Sequence, residues 1–148
     1  MPSHPALWVL DSSILISYLR SGKYRQFLLS GLERGTIFVP GVVVCELYAG
    51  AISREDRADL EVFRRALGVH VLRTEAEDWV LAGRCLSYYA GRWGRIKPRD
   101  HLVDVMVAVS AFQAGAVLAT EDLLQMRRWS WVFGKLGKRL RVSRITGQ

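Results

Sequence analysis

Acidic side chains are scarce in this chain: 14 Asp and Glu stand against 21 Lys and Arg, a formal charge of +7 at pH 7. The imbalance favours a polyanionic partner, nucleic acid before an anionic membrane surface. Cysteine is rarer still. Cys45 and Cys85 lie inside apolar stretches and not at metal-ligand spacing, which excludes a disulfide framework and a thiolate metal cage. Both are expected as reduced core residues of a cytoplasmic protein. GxGxxG and GxxxxGK[ST] are absent, so nucleotide-binding loops are not supported, and Ser12 and Ser13 lack the GxSxG setting of a nucleophilic serine. The first ten residues lack the basic and apolar regions of a signal peptide. One run, Leu102–Ala119, has membrane-like length, but Asp104, Gln113 and Gly115 interrupt it, so it divides into helix, turn and strand. No repeat, low-complexity tract or linker divides the chain, and 148 residues predict a single domain, 1–148.

What the chain has is a regular alternation. Short apolar runs at Ala6–Leu10, Thr36–Val39, Val69–Leu72 and Ala116–Ala119 read as buried strands. Between them lie helical patterns: one from Ile14 to Leu19, Lys23–Arg34, Val42–Ala51, Arg54–Leu67, one capped by Thr74 and running to Tyr89 or Ala90, and Leu102–Ala114. Glu75, Glu77 and Asp78 suit the positive end of their helix and read as capping acids. Gly91–Asp100 is expected as a loop carrying Arg92, Arg95, Lys97 and Arg99. A short helix, Asp122–Arg128, and a tail rich in Trp, Lys and Arg follow. The pattern predicts an α/β sandwich around a mostly parallel sheet.

In parallel α/β sheets, sites form beyond the carboxyl ends of the strands. Asp11 directly follows the first strand, and Asp122 lies three residues after the strand ending at Ala119. Glu46 is early in a helix entered from the second strand, and Asp104 is in the first turn of its predicted helix. Each acid alone has a plain explanation as a cap or dipole partner, except Glu46, whose apolar neighbours make an unpaired charge costly to bury. Together, four acids at one edge of a basic protein point to a hard divalent cation. Oxygen-only ligands suit Mg²⁺ or Mn²⁺, and such an ion activates water and stabilises charge on a phosphoryl oxygen. Basic residues nearby would hold phosphates, and the chemistry expected is phosphodiester hydrolysis with no histidine base required. His101 is within reach of such an ion, although a lone His at a helix start is more often a cap or surface residue.

Three segments carry a resemblance. Val9–Leu19 (VLDSSILISYL), Val39–Gly50 (VPGVVVCELYAG) and Asp104–Asp122 (DVMVAVSAFQAGAVLATED) together, in order, resemble the PIN-domain ribonucleases, and among them the VapC-type toxins of type II toxin–antitoxin pairs. The resemblance implies a PIN-like three-layer α/β/α sandwich with a central, mostly parallel sheet of four to five strands. It implies a Mg²⁺- or Mn²⁺-dependent endoribonuclease, with Asp11, Glu46, Asp104 and Asp122 as catalytic and metal-holding acids and Ser12 and Thr120 in support. It also implies RNA (tRNA or rRNA) as substrate, a homodimer, and a cognate VapB-type antitoxin that blocks the site, with no membrane. Arg92, Arg95, Lys97 and Arg99 are candidate RNA contacts. Two alternatives stand beside the toxin: a PIN-type nuclease of RNA processing, and a non-enzymatic basic module that binds nucleic acid. The sequence departs from the family pattern after the fourth acid, where Leu123–Met126 (LLQM) replaces a frequent acid–Phe pair. Glu121 beside Asp122 leaves two acids for one place, and Asp122 is the one expected to point inward. Trp129–Phe133 (WSWVF) lies beyond the motifs, either completing the core or stacking on RNA bases.

Overall fold

Three residues free of charge, Trp8–Leu10, form β1 at the centre of the sheet, with Val9 and Leu10 fully buried. The computed structural model describes residues 4–146; residues 1–3 and 147–148, the ends of the predicted domain, lie outside it. On one side of β1 is β2 (Ile37–Pro40), then β3 (Val71–Leu72); on the other is β4 (Val117–Ala119), then β5 (Val142–Ser143). The order is β3-β2-β1-β4-β5, and every neighbouring pair is parallel. The register sets Trp8 opposite Ile37 on one side and Val117 on the other. The chain winds outward from β1 to β3, returns across the sheet and enters β4 on the opposite side. β1 and β4 therefore flank the point where the winding reverses, and a crevice opens at their carboxyl ends.

Seven α-helices flank this sheet among the described residues: α1 (Ser12–Ser21), α2 (Arg25–Arg34), α3 (Gly41–Gly50), α4 (Arg54–Leu67), α5 (Ala76–Trp93), α6 (Pro98–Gln113) and α7 (Leu123–Lys135). The result is the predicted α/β sandwich with five strands. α6 is the hub. Val105–Val109 and Ala111 are all at most 1% exposed, and the helix touches α3, α5, α7, β1, β2 and β4. A helix apolar on every side is one enclosed by protein. It ends at Gly115, whose φ of +63° lets the Ala116 N–H reach back to the Ala111 carbonyl and turn the chain into β4. α2 seats on β2 through Gly31, where any Cβ would collide with the buried Ile37 side chain. No helix among the described residues is long and apolar enough to cross a membrane.

Several boundaries differ from the sequence expectation. The predicted loop Gly91–Asp100 shrinks to residues 94–97: α5 continues to Trp93, so Arg92 is helical, and α6 begins at Pro98. Proline at the first helical position loses only an N–H that has no partner there anyway. Asp104 consequently lies in the second turn of α6. α7 runs to Lys135 instead of ending at Arg128, placing Trp129 and Phe133 on its buried face and Trp131 on its exposed one. The cap of α5 is Glu75, not Thr74, paired reciprocally with Asp78 through a 2.8 Å bond from the Glu75 N–H. Of the two cysteines, Cys85 is buried and its thiol is pushed up to about 12 by burial. Cys45 is exposed: on α3, Val43 and Leu47 take the buried face and leave Cys45 outside.

Candidate acidic site

Asp11 ends β1 and begins α1, and its side chain serves both elements. Oδ1 accepts from the Ser12 N–H at 2.8 Å, capping α1. Oδ2 accepts from the Ser13 hydroxyl at 3.1 Å and from the Thr120 hydroxyl at 2.8 Å. Thr120 is fully buried just past β4, and its Oγ1 accepts in turn from the Asp122 N–H at 3.0 Å. The Ser13 Oγ accepts from the Glu121 N–H at 3.0 Å. Two hydroxyls thus lock the ends of β1 and β4 together around one carboxylate. Asp11 is only 5% exposed, and burial pushes its carboxyl up from the usual range. The bonds from Thr120, Ser13 and Ser12 offset part of this, and the charge of Glu46 adds to it.

Asp104 faces the same centre from α6. Its carboxyl is pushed up to about 6, first by burial and then by the negative charges of Asp11, Asp122 and Glu46. All four predicted acids therefore share one electrostatic neighbourhood, although each comes from a different element. Among the described residues, no three His, Cys, Asp or Glu side chains stand as close as ligands to one ion. The acids share a field without forming a closed cluster: Asp11 is held by Ser12, Ser13 and Thr120, and Asp122 by the Gln125 N–H. Asp122 is exposed, and its Oδ1 accepts from the Gln125 N–H at 3.3 Å as the cap of α7.

The two adjacent acids after β4 divide. Glu121 turns from the centre toward α1 and the α1–α2 corner. Its Oε1 accepts from Ser17 and Tyr24, both at 2.7 Å, with Lys23 Nζ at 3.5 Å. Burial acts to raise its carboxyl, but Tyr24, Ser17 and Lys23 overcome that and hold it below the usual value. Tyr24 holds a left-handed backbone, φ +68°, with its ring buried. Such a conformation is costly for a tyrosine, and the hydroxyl bond to Glu121 helps fix it.

Ser12 supports Asp11 through its backbone N–H; the hydroxyl that reaches the carboxylate is Ser13's. The signal for Ser13 was its place two residues after an N-cap acid, where a hydroxyl folds back on the cap. Arg95, Lys97 and Arg99 are exposed around the short connection before α6, with Arg99 4.0 Å from Asp100. Arg92 is exposed near the end of α5, where its guanidinium lies over Trp93. Beside Glu46, a groove of about 400 Å³ runs between α1, α3 and α4, lined by Ile16, Leu19, Leu47 and Leu60. Periodicity did not disclose an aromatic layer that joins α5, α6 and α7. Tyr89 stacks on Trp129 at 4.6 Å and meets His101 at 4.9 Å.

A fully parallel sheet with carboxylates gathered at its switch point defines an α/β protein with an acidic centre. Residues 8–128 match the model of the PIN domain family, and the chain belongs to that family. The fold is shared with DNA-bound VapBC from Salmonella typhimurium: TM-score 0.73 and 19% identity over 95% of this chain and 98% of the other. It is shared with VapBC2 from Rickettsia felis bound to a promoter DNA fragment: TM-score 0.70 and 18% identity over 94% and 98%. It is shared also with VapBC-5 from Mycobacterium tuberculosis, a member of the VapBC family of toxin–antitoxin systems: TM-score 0.56 and 20% identity over 95% and 98%. At these identities the likeness is one of fold. No curated protein matches the chain.

Proposed function

We propose that this chain is the toxin of a type II toxin–antitoxin pair, acting as a Mg²⁺- or Mn²⁺-dependent endoribonuclease. What supports this reading is that Asp104 feels the charges of Asp11, Asp122 and Glu46, four acids from four separate elements, in a protein of net charge +7. PIN domains are generally nucleases, and the fold neighbours are VapBC assemblies.

The donor set fits a hard divalent cation: carboxylate oxygens only, with the charges of Asp11, Asp122 and Glu46 raising the Asp104 carboxyl and that of Glu46 adding to the rise at Asp11, so a positive charge there would relieve both. Asp11, Glu46, Asp104 and Asp122 would hold it. When bound, such an ion supplies a Lewis acid that activates water and neutralises charge developing on the phosphoryl group. The rest falls to the chain. Thr120 and Ser13 fix the rotamer of Asp11 through Oδ2, and the Ser12 N–H fixes it through Oδ1. Asp104 sits on the most enclosed helix of the fold, which limits how far it can move. Arg92, Arg95, Lys97 and Arg99 draw the RNA backbone toward the same edge. The groove beside Glu46, which mixes Ile16, Leu19, Leu47 and Leu60 with the charged Arg20, Asp56 and Asp59, is the seat this reading gives a VapB-type antitoxin segment, and the active unit in it is a homodimer.

Purified protein should cleave tRNA or rRNA fragments in Mg²⁺ or Mn²⁺ and lose that activity in EDTA. Asp104→Asn should be folded and inactive under all these conditions. Undiminished cleavage by Asp104→Asn would remove the assignment; cleavage of structural RNA precursors alone would move the chain to RNA processing.

A further inference from the structure

Cations and aromatic rings alternate along the exposed margin of α5 and α7. The Arg128 guanidinium lies 5.2 Å from the centre of the Trp93 ring, and Arg92 lies 5.5 Å from Trp93 and 6.0 Å from Trp131. Lys135 Nζ follows at 5.2 Å from Trp131, and the two indoles meet edge to face at 5.1 Å. Trp131 is 38% exposed, and a cleft of about 450 Å³ opens beside it between Tyr88, Arg92 and Lys135.

Two contacts tie this ladder to the acidic centre. Tyr89 packs 4.6 Å from Trp93 and 4.9 Å from His101, and His101 lies one helical turn before Asp104 on α6. The Tyr89 hydroxyl accepts from Arg128 at 3.1 Å and from the Gln125 amide at 3.5 Å, and the Gln125 N–H donates to Asp122.

We propose that the ladder Arg128–Trp93–Arg92–Trp131–Lys135 is a binding track for single-stranded RNA leading into the acidic site; it rests on the nuclease reading above and extends it. The ion pairs among the described residues are Lys23–Glu121, Arg64–Glu61 and Arg99–Asp100, so the three cations of the ladder have no carboxylate partner. Rings and charges spaced about 5 Å apart suit a ligand that alternates flat bases with phosphates. A duplex hides its base faces and meets only the cations. A second copy packed about a two-fold axis on this face would set cations against cations.

The test is the affinity of a labelled oligouridylate, read by fluorescence anisotropy in EDTA so that cleavage plays no part. Trp131→Ala should weaken binding roughly 5-fold or more, and Trp131→Tyr should restore most of it. Arg92→Ala and Lys135→Ala should each lower the slope of log affinity against log salt by about 0.7. Thermal melts of each variant confirm folding, which the exposure of Trp131 favours. Unchanged affinity in Trp131→Ala and Arg92→Ala, with wild type binding and cleaving RNA, overturns the track and leaves the nuclease reading intact. A wild type that neither binds nor cleaves overturns both. Equal binding of duplex RNA overturns the single-strand assignment. A change of mass by light scattering in Trp131→Ala, with RNA affinity unaltered, gives the face to a second copy and also overturns it.

Discussion

Replacing Asp104 with Asn should make the metal-free protein more stable while abolishing its activity. The folded carboxyl is pushed up to about 6 from an unfolded value of 3.8, so the native state binds the extra proton between these values. Wild-type stability is therefore fully present below about pH 3.8, falls as pH rises through about 6, and is level above. A displacement of about two pH units corresponds to about 3 kcal/mol for a fully shielded group. Asp104 is partly exposed, and solvent screening reduces this to about 1–2 kcal/mol. Asn keeps the shape and removes the charge. In EDTA at pH 7.5 the variant should gain that amount, a rise in melting temperature of roughly 3–6 °C for a chain of this size. Near pH 4 the advantage should vanish. Adding Mg²⁺ should stabilise wild type more than the variant and narrow or reverse the gap. The measurement is urea or thermal unfolding at the two pH values, with and without the ion. An Asp104→Asn variant less stable than wild type at pH 7.5 in EDTA, or an advantage that persists at pH 4, would refute the reasoning that charge is crowded at this centre.

Thr120→Val removes the hydroxyl between Asp11 and Asp122 and strands a buried carboxylate lone pair; stability should fall by about 1–3 kcal/mol in urea titration, with cleavage falling further than stability explains. Glu121→Ala frees the Ser17 and Tyr24 hydroxyls and should cost about 1–2 kcal/mol in the same assay. Because Glu121 is held below its usual value, that loss should be present at neutral pH and shrink on acidification through the carboxylate range, which a pH series of melts would show. Gly31→Ala pushes a methyl group into Ile37 and should cost about 1–3 kcal/mol by thermal melt, with cleavage per folded molecule unchanged.

Much of the framework was legible because local rules and the fold agree. The uncharged run before Asp11, the break at Gly115 and the apolar length of Val105–Val109 each admit one structural solution in a parallel sandwich. Asp11 and Asp122 were also legible as caps, the local role each of them fills on α1 and α7. The boundaries were harder. Gly91 and Gly94 read as loop, yet packing of Trp93 on Tyr89 carries α5 past the first of them. The same holds for α7, whose extension past Arg128 comes from Trp129 and Phe133 entering the core. The turn of Glu121 toward α1 was set by Ser17, Lys23 and Tyr24, about a hundred residues away, and no local pattern contains them; Asp122, expected to point inward, is exposed and caps α7. The exposure of Cys45 followed from Val43 and Leu47 taking the buried face of α3, a choice that a uniformly apolar stretch does not disclose.

The bond from Thr120 to Asp11 spans 109 residues of sequence. Everything from β1 through Thr120 must be synthesised before the two central strands can be joined at that edge, and β5 cannot pair with β4 until Val142 and Ser143 have emerged. A nascent chain holding only β1, β2 and β3 carries Asp11 and Glu46 but lacks Asp104, Thr120 and Asp122. Non-local closure of this kind is slow and comes late in folding. Assembly order thus delays the acidic centre: its last contributors, Thr120 and Asp122, reach β1 only after β4 has been made.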